Sequence, residues 1–503
     1  MLDLKKFIDC PQSLLIAPAG YGKTYTIASC LKIVEGKHLV LTHTNAGIAS
    51  IYEKIKKLKV PANKYQIETI SSFAQIITLS FSDKSLIPLQ EAGKQYYKAI
   101  TDRATTLIKI KPIRKMIGNS FSGLFVDEYQ DCTISQHRFI QLLAEIFPTH
   151  LLGDPMQGIF NLDNEDPLVD LHDTVIMGNY LSNQFLLNTP WRWINQDKKE
   201  LGDDLRKIRN KLERDRLPIH DFSPYPNISC HQFDKNQLFK AYSESALKQK
   251  IHSILNANEN VLFIHSVSAN REARIGYIAC FPNRFFLIES IDYKDFYKLA
   301  KVIDAFSTNG ESITSNIHGL LILLFPKTEI EKWIQKEHLT QKRGLSEEPN
   351  YLKFREAFEN YKVTSEIIYV AEIIEIVPEL TGKKSIYKDI YSSLLYAVKK
   401  SAENSSSVYN EMIAQRNIAR RVGRKLYGKS IGTTLLTKGL ECDTVVLLEE
   451  EPFDYKNQYV ALTRGSKQVI VLQIHKTENQ KMMRKSKNKK QTSLKNQLCL
   501  WSD

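Results

Sequence analysis

An α/β fold built on parallel sheets is what this sequence predicts, on three observations. The apolar run Leu14-Leu15-Ile16 leads into Ala17-Pro18-Ala19-Gly20-Tyr21-Gly22-Lys23-Thr24, after which Tyr25 to Leu31 can continue as a helix. The same order returns at Lys37 to Asn45, an apolar strand ending in small polar residues before a helical stretch to about Leu58. A further buried-strand run, Gly123-Leu124-Phe125-Val126, ends abruptly in Asp127-Glu128. Short apolar runs that alternate with helical stretches pack as parallel strands with crossover helices.

Taken in order, the first loop has a specific chemistry. Small residues let backbone N–H groups turn inward on a phosphate chain, with Ala17 where the usual pattern opens with Gly. Ala19, Gly20, Tyr21, Gly22, Lys23, Thr24 and Tyr25 are therefore candidate nucleotide contacts, with Lys23 reaching the β- and γ-phosphates and the Thr24 hydroxyl on Mg²⁺. A glycine turn that happens to end in Lys-Thr is the bland alternative, and the flanking strand and helix speak against it. Ligands of open α/β sheets gather at the carboxyl ends of strands, which puts Thr42, His43 and Asn45, and then Thr69 in the stretch Glu68 to Phe73, on the rim that carries Lys23. Residues from about 76 to 118 show helical spacing with several Lys and Arg and no obvious strand.

At the end of the next strand, Asp127 is placed to hold Mg²⁺ and Glu128 to orient and deprotonate the water that attacks a γ-phosphate. The competing account, a helix start capped by Asp-Glu, gives no reason for the loop about 100 residues upstream. His150 to Gly153 is another strand and runs into Asp154-Pro155-Met156-Gln157-Gly158-Ile159-Phe160. Gln157, with a donor and an acceptor, suits a γ-phosphate sensor, and Phe160 offers a face for a nucleobase. For Trp191-Arg192-Trp193 the bland alternative is a buried tryptophan pair with a cation–π contact. Residues 198–216 are strongly charged and helical in pattern, Pro218 to Pro226 resembles a linker, and further strands are expected at 260–264, 284–288, 444–448 and 469–472. Between them, about 293 to 425 is helical in periodicity.

By these residues the chain resembles superfamily 1 helicases of the UvrD/Rep/PcrA type. Ala-Pro-Ala-Gly-Tyr-Gly-Lys-Thr looks like motif I, Leu-Thr-His-Thr-Asn at 41–45 like motif Ia, and Val-Asp-Glu-Tyr-Gln-Asp at 126–131 like motif II. Gly153 to Phe160 looks like motif III and Pro190-Trp191-Arg192 like motif IV. Thr433 to Glu441 resembles motif V, and Tyr459-Val460-Ala461-Leu462-Thr463-Arg464 resembles motif VI. The resemblance implies two RecA-like lobes, ATP with Mg²⁺ as cofactors, and arginine fingers at Arg192 and Arg464 beside the base Glu128 and the sensor Gln157. It further implies ribose contact by Glu441 beside Gly439, Trp191 in place of the tyrosine that stacks on adenine, and an adenine-reading role for Gln12, whose spacing is short. On the DNA side it implies roles for Thr42, His43, Asn45, Thr69, Phe160 and Thr433. Departures fall there too: His43 replaces a stacking phenylalanine, Ile70 and Ser71 replace Phe-His, and Leu435 replaces a histidine.

The expected organisation is a first lobe over 1–75 and 119–197 interrupted by a helical insertion at 76–118. A second lobe over 198–292 and 426–475 is interrupted at 293–425, and a basic tail fills 476–503. Composition agrees with a polyanionic partner: among 503 residues, 69 Lys+Arg against 56 Asp+Glu give a net charge of +13. Ala419 to Lys425 is a basic cluster that reads as a phosphate contact or a solvated helix end. Seven scattered cysteines without a Cys-x-x-Cys pair argue against a zinc site or a disulfide framework. With no signal-peptide core and no apolar run long enough to span a bilayer, the expectation is a cytoplasmic protein without a membrane partner. The expected activity is ATP-driven 3′ to 5′ movement on single-stranded or tailed DNA. The alternatives are a DNA-activated ATPase switch beside a separate nuclease subunit, as in Gabija-type anti-phage systems, and an ATPase-dead DNA-binding scaffold.

Overall fold

The computed structural model describes residues 2–475 except 84, 86, 89–93, 161–165, 235–244, 270, 285, 289–293, 308–312, 341–346, 386 and 423–427. The basic tail at 476–503 and the side chains of the cluster at 419–425 lie outside the described residues.

Six strands, β1 (Gln12–Ile16), β2 (His38–Thr42), β3 (Tyr65–Thr69), β4 (Gly123–Val126), β5 (Thr149–Gly153) and β6 (Gln184–Leu186), form the first sheet in the order β3-β2-β4-β5-β1-β6. Every pairing is parallel. Alternate side chains feed two cores: Leu14, Ile16, Leu39, Leu41, Leu124 and Val126 on one face, Leu15, Val40, Phe125 and Leu152 on the other. Burial on both faces is why these strands read as unbroken apolar runs. All carboxyl ends share one rim, as parallel pairing requires, and that rim carries the loop 17–22, Thr42, Thr69, Asp127 and Asp154.

The helices Ile70–Phe81, Lys94–Ile108 and Lys111–Ser120 occupy the stretch expected to be an insertion. Ile77, Ile100, Leu107 and Ile117 join the same core as Leu39 and Leu124, so these helices complete the first lobe's own layer.

The second sheet contains β7 (Ile228–Asp234), β8 (Val261–His265), β9 (Phe286–Leu287), β10 (Lys429–Gly432), β11 (Cys442–Glu449) and β12 (Gly465–His475), in the order β7-β12-β11-β8-β10-β9 and again all parallel. β10 pairs with both β8 and β9, so the chain leaves the sheet after β9 and re-enters it at β10. The helices between them bury Leu320, Phe354, Ile374, Leu394 and Met412 in a core of their own. No described helix is long and apolar enough to cross a membrane.

The lobes meet along the helices Lys199–Asp215 and Tyr455–Leu462, whose Leu201, Leu205, Ile208, Tyr459 and Val460 pack with Ala19, Tyr21, Met156 and Trp193. The charged helix thus has a buried stripe, and that stripe belongs to the junction between lobes.

One buried residue of the first sheet predicts a pH response. His150 is 1% exposed, has Nδ1 2.8 Å from Ser13 Oγ, and lies against Phe7 and Phe125. Burial holds its pKa down at about 3. Between that value and the unfolded value of ~6.5 the unfolded chain binds the extra proton, so His150 lowers stability as pH falls, by up to about 1.4 kcal/mol per pH unit. Thermal melts from pH 7 to pH 5 are expected to show a falling midpoint, and His150→Gln a flatter dependence.

Candidate active site

The loop that follows β1 is held from three sides. Ala17 N donates to Gly153 O at 2.9 Å, Tyr21 N to Pro18 O at 3.2 Å, and Arg192 N to Gly20 O at 2.9 Å. Gly20 has φ +78°, and a Cβ there would lie 2.8 Å from Arg192 Cβ and 2.9 Å from the Trp193 ring, so both dihedral and space demand glycine. Gly22, with φ +92°, opens the helix Lys23–Ile33.

Lys23 is 8% exposed, with Nζ 2.8 Å from Glu128 Oε1 and 3.6 Å from Asp127 Oδ1. Glu128 sits in the left-handed region at φ +54°, which a non-glycine residue adopts at a cost, and its N–H donates to Asp127 Oδ1 at 2.9 Å. The Gln130 amide donates to Glu128 Oε2, while Gln130 Oε1 accepts from Asp154 N at 3.0 Å. Burial opposes charge on all three groups of this cluster. In Lys23 the two carboxylates overcome it and raise the pKa, whereas in Asp127 burial prevails over Lys23 and the carboxyl is pushed up. In Glu128 burial is outweighed by Lys23 and then Lys438, which hold the carboxyl down. Of the acidic pair, Glu128 is the one whose charged form the surroundings favour.

From the second lobe, Arg464 follows the helix Tyr455–Leu462 and is 2% exposed. Its Nε donates to Val460 O at 2.9 Å, and Nη2 reaches Thr463 Oγ1 at 3.2 Å and Gln157 Oε1 at 3.4 Å. Burial, then the neighbouring Arg192, pushes its pKa down to about 10, which leaves it cationic at neutral pH. Arg192 donates to Glu441 and to Thr463 O, with its guanidinium 5.7 Å from the Trp193 ring centre. Trp191 is 43% exposed, and a Cβ on Gly22 would lie 3.3 Å from its Cδ1, so its indole borders the loop.

The structure thus brings Lys23, Asp127, Glu128, Gln157, Trp191, Arg192, Glu441 and Arg464 to one cleft. Thr24 is half-buried beside Lys23, and its hydroxyl with the Asp127 carboxylate is a hard-oxygen donor set that fits Mg²⁺. Gly439 (φ +81°) turns the chain just before Leu440 and Glu441, and Tyr25 is 48% exposed on the outer side of its helix. Gln12 is not brought to the cleft: it opens β1, a strand's length of about 15 Å from the loop, and its carbonyl accepts from Asn183 Nδ2 at 2.9 Å.

Of the residues expected to contact DNA, the hydroxyls of Thr69 and Thr433 accept from Ser72 N at 2.9 Å and Leu436 N at 3.4 Å as helix caps, and both residues are buried. Thr42 is fully buried, Asn45 half-buried at a helix start, and His43 Nε2 lies 3.3 Å from Cys132 Sγ. Burial, with Lys438 nearby, pushes the His43 pKa down to about 4. The Phe160 ring has Lys438 Nζ 4.5 Å from its centre.

Two buried networks join the lobes without having been singled out in the sequence. Lys438 donates to both carboxylate oxygens of Asp131 and to Gln157 O, across 307 residues in the first case. Asp154, fully buried, accepts from Gln157 Nε2 at 2.9 Å, Tyr459 OH at 3.1 Å and Arg209 Nη2 at 3.0 Å, while Tyr459 OH accepts from Ala19 N at 3.0 Å. Lys438 and Asp131 lie inside recognisable motifs, but no local pattern pairs them, and Arg209 sits on a helix whose charges look solvated.

Burial raises the Asp131 carboxyl to about 7 even with Lys438 against it. Lys438→Met is expected to cost about 3–5 kcal/mol in denaturant unfolding by leaving that carboxylate unpaired. Its proton affinity then rises further above the unfolded value, so the loss relative to wild type is larger at pH 8 than at pH 5. Adding Asp131→Asn recovers part of it.

Residues 4–162 match the family described as AAA domain. A stretch of 177 residues, 34% of this chain, is 24% identical to the RecBCD enzyme subunit RecB of Buchnera aphidicola subsp. Acyrthosiphon pisum (strain APS), and spans 14% of that protein's length. Among solved structures, the Pif1 helicase from Candida albicans aligns with 51% of this chain and 53% of its own, at 14% identity and a TM-score of 0.26. The matched AAA domain, the two all-parallel sheets and the seven motifs in order along the chain make this chain similar to superfamily 1 helicases.

Proposed function

We propose that this protein is a DNA-dependent ATPase that moves 3′ to 5′ along single-stranded DNA by opening and closing its two RecA-like lobes. The observation that carries the proposal is that Arg464, from the second lobe, reaches Gln157 of the first and lies within the field of Glu128, which pairs with Lys23. Lys23 draws the β- and γ-phosphates of ATP into the loop, where Gly20 and Gly22 allow close approach of backbone N–H groups. Glu128, held ionised, takes the proton of the attacking water. Arg464 and Arg192 supply positive charge to the γ-phosphoryl group as it transfers, and Gln157 reports its presence through the hydrogen bonds to Asp154 and Arg464. Mg²⁺, held by Thr24 and Asp127, screens phosphate charge when bound. The Asp154–Tyr459–Ala19 chain gives the second lobe a direct grip on the phosphate loop, which is the physical link a lobe-closing motor needs. The polarity follows the superfamily 1 resemblance.

A second reading, a DNA-triggered switch that regulates a separate nuclease, is favoured by the DNA-side residues: Thr42, Thr69 and Thr433 are buried and His43 is turned to Cys132. The test is phosphate release with and without single-stranded DNA, then strand separation on 3′-tailed and 5′-tailed duplexes, for wild type and Lys23→Ala. The motor is expected to be DNA-stimulated, to separate 3′-tailed duplex only, and to be silenced by Lys23→Ala. Stimulation without strand separation selects the switch. Hydrolysis that survives Lys23→Ala sinks both.

A further inference from the structure

Where the second lobe meets the helical insertion there is a cavity of about 630 Å³ that shares no residue with the cleft. Its walls are the helix Arg271–Cys280 on the lobe side and, on the insertion side, residues of the helices Lys294–Asp304, Ile313–Leu324 and Lys388–Asn404 with the segments joining them. Apolar groups such as Ile275, Ile278, Leu299 and Phe325 line it.

Its charge is lopsided. Lys298, Lys327, Lys383 and Lys384 line it; Lys327 lies 3.6 Å from Glu331, and among the described residues none of the other three makes an ion pair. The acid in the lining, Glu329, is 2.6 Å from Lys332. Arg271 lies with its guanidinium carbon 4.9 Å from the ring centre of Tyr387, and both line the same space. Three ammonium groups without counter-charges attract a multiply charged anion, and compact ammonium charges suit phosphate. Apolar walls and a tyrosine face backed by arginine suit a planar base. The volume falls within the ~300–1,000 Å³ of small-molecule sites.

We infer that this cavity binds the phosphate and base of a nucleotide, supplied either as a free mononucleotide or as the phosphorylated end of a DNA strand. Such a ligand touches lobe and insertion together and fixes the angle between them. Because the cavity and the cleft have no residue in common, its ligand is independent of what the cleft turns over.

The experiment titrates thymidine 5′-monophosphate, and oligothymidylate with and without a 5′-phosphate, into the full chain by calorimetry. Two variants are compared with wild type: Lys298→Glu/Lys384→Glu, which reverses the charge, and Ala279→Trp, which fills the mouth without changing charge. Retained ATP hydrolysis checks their folding. Both variants are expected to weaken monophosphate binding about tenfold or more. Weakening seen instead only as a lost preference for the phosphorylated strand assigns the site to DNA ends. If charge reversal also abolishes hydrolysis, Ala279→Trp decides. Binding of all three probes that is unchanged in a folded variant overturns the inference.

Discussion

Glu128→Gln is expected to lower the rate of ATP hydrolysis by about 10²- to 10⁴-fold, the range for loss of a positioned general base. The replacement keeps the size of the side chain and an oxygen for Lys23, so nucleotide binding, followed with a fluorescent ATP analogue, should stay within about threefold. The geometry makes this a sharp test. Glu128 holds its carboxylate 2.8 Å from Lys23 by adopting φ +54°, and two lysines keep it ionised. Asp127 is deeper, faces Lys23 at 3.6 Å and accepts the Glu128 N–H, so it is poorly placed to take over as base. With the Glu128 charge gone, one contribution to the raised Asp127 pKa disappears as well, and Asp127 becomes a better cation ligand. Loss of turnover should therefore come with unchanged or stronger Mg-ATP binding. A variant that hydrolyses ATP within tenfold of wild type removes Glu128 from the mechanism.

How much of this can be read from the sequence depends on where the determining contacts lie. β1, β2, β4 and β5 are buried on both faces, and a strand so placed must be a short apolar run, which is visible locally. β7 is an edge strand of sequence Ile-Ser-Cys-His-Gln-Phe-Asp, and β10 is Lys-Ser-Ile-Gly; neither carries enough apolar residues to stand out from a loop. The helices of 76–118 are legible as helices, but their packing into the first core is not, because an apolar stripe does not name its partner. The same limit governs the cleft. Lys23, Asp127 and Glu128 each sit in a short string whose chemistry is self-contained. The Asp131–Lys438, Ala19–Tyr459 and Tyr459–Asp154 contacts join residues hundreds of positions apart, and only the folded lobes bring them together. Gln12 shows the reverse: near the loop in sequence, it is a full strand away in space.

Arg464→Ala is expected to reduce hydrolysis by about 10³- to 10⁵-fold, as loss of an arginine finger does, with little loss of stability. Those two outcomes can be separated because the environment of Arg464 does not favour its charge. Burial and the adjacent Arg192 both work against it, and among the described residues none of its hydrogen bonds is an ion pair: its partners are the Val460 and Leu440 carbonyls, Thr463 Oγ1 and Gln157 Oε1. Removing it relieves an unfavourable burial while leaving no carboxylate stranded, the opposite of Lys438→Met. A positive charge kept in such a place makes sense if it meets negative charge during turnover. Arg464→Lys keeps the charge but loses the fork that reaches Val460 O and Gln157 together, and should recover less than about tenfold of the lost rate. Melting midpoint and phosphate release, measured on the same preparations, distinguish the cases. If both fall together in Arg464→Ala, the residue holds the lobes and does not act on phosphate; if turnover persists in a folded protein, the site is completed by the first lobe alone and lobe closure is not what drives hydrolysis.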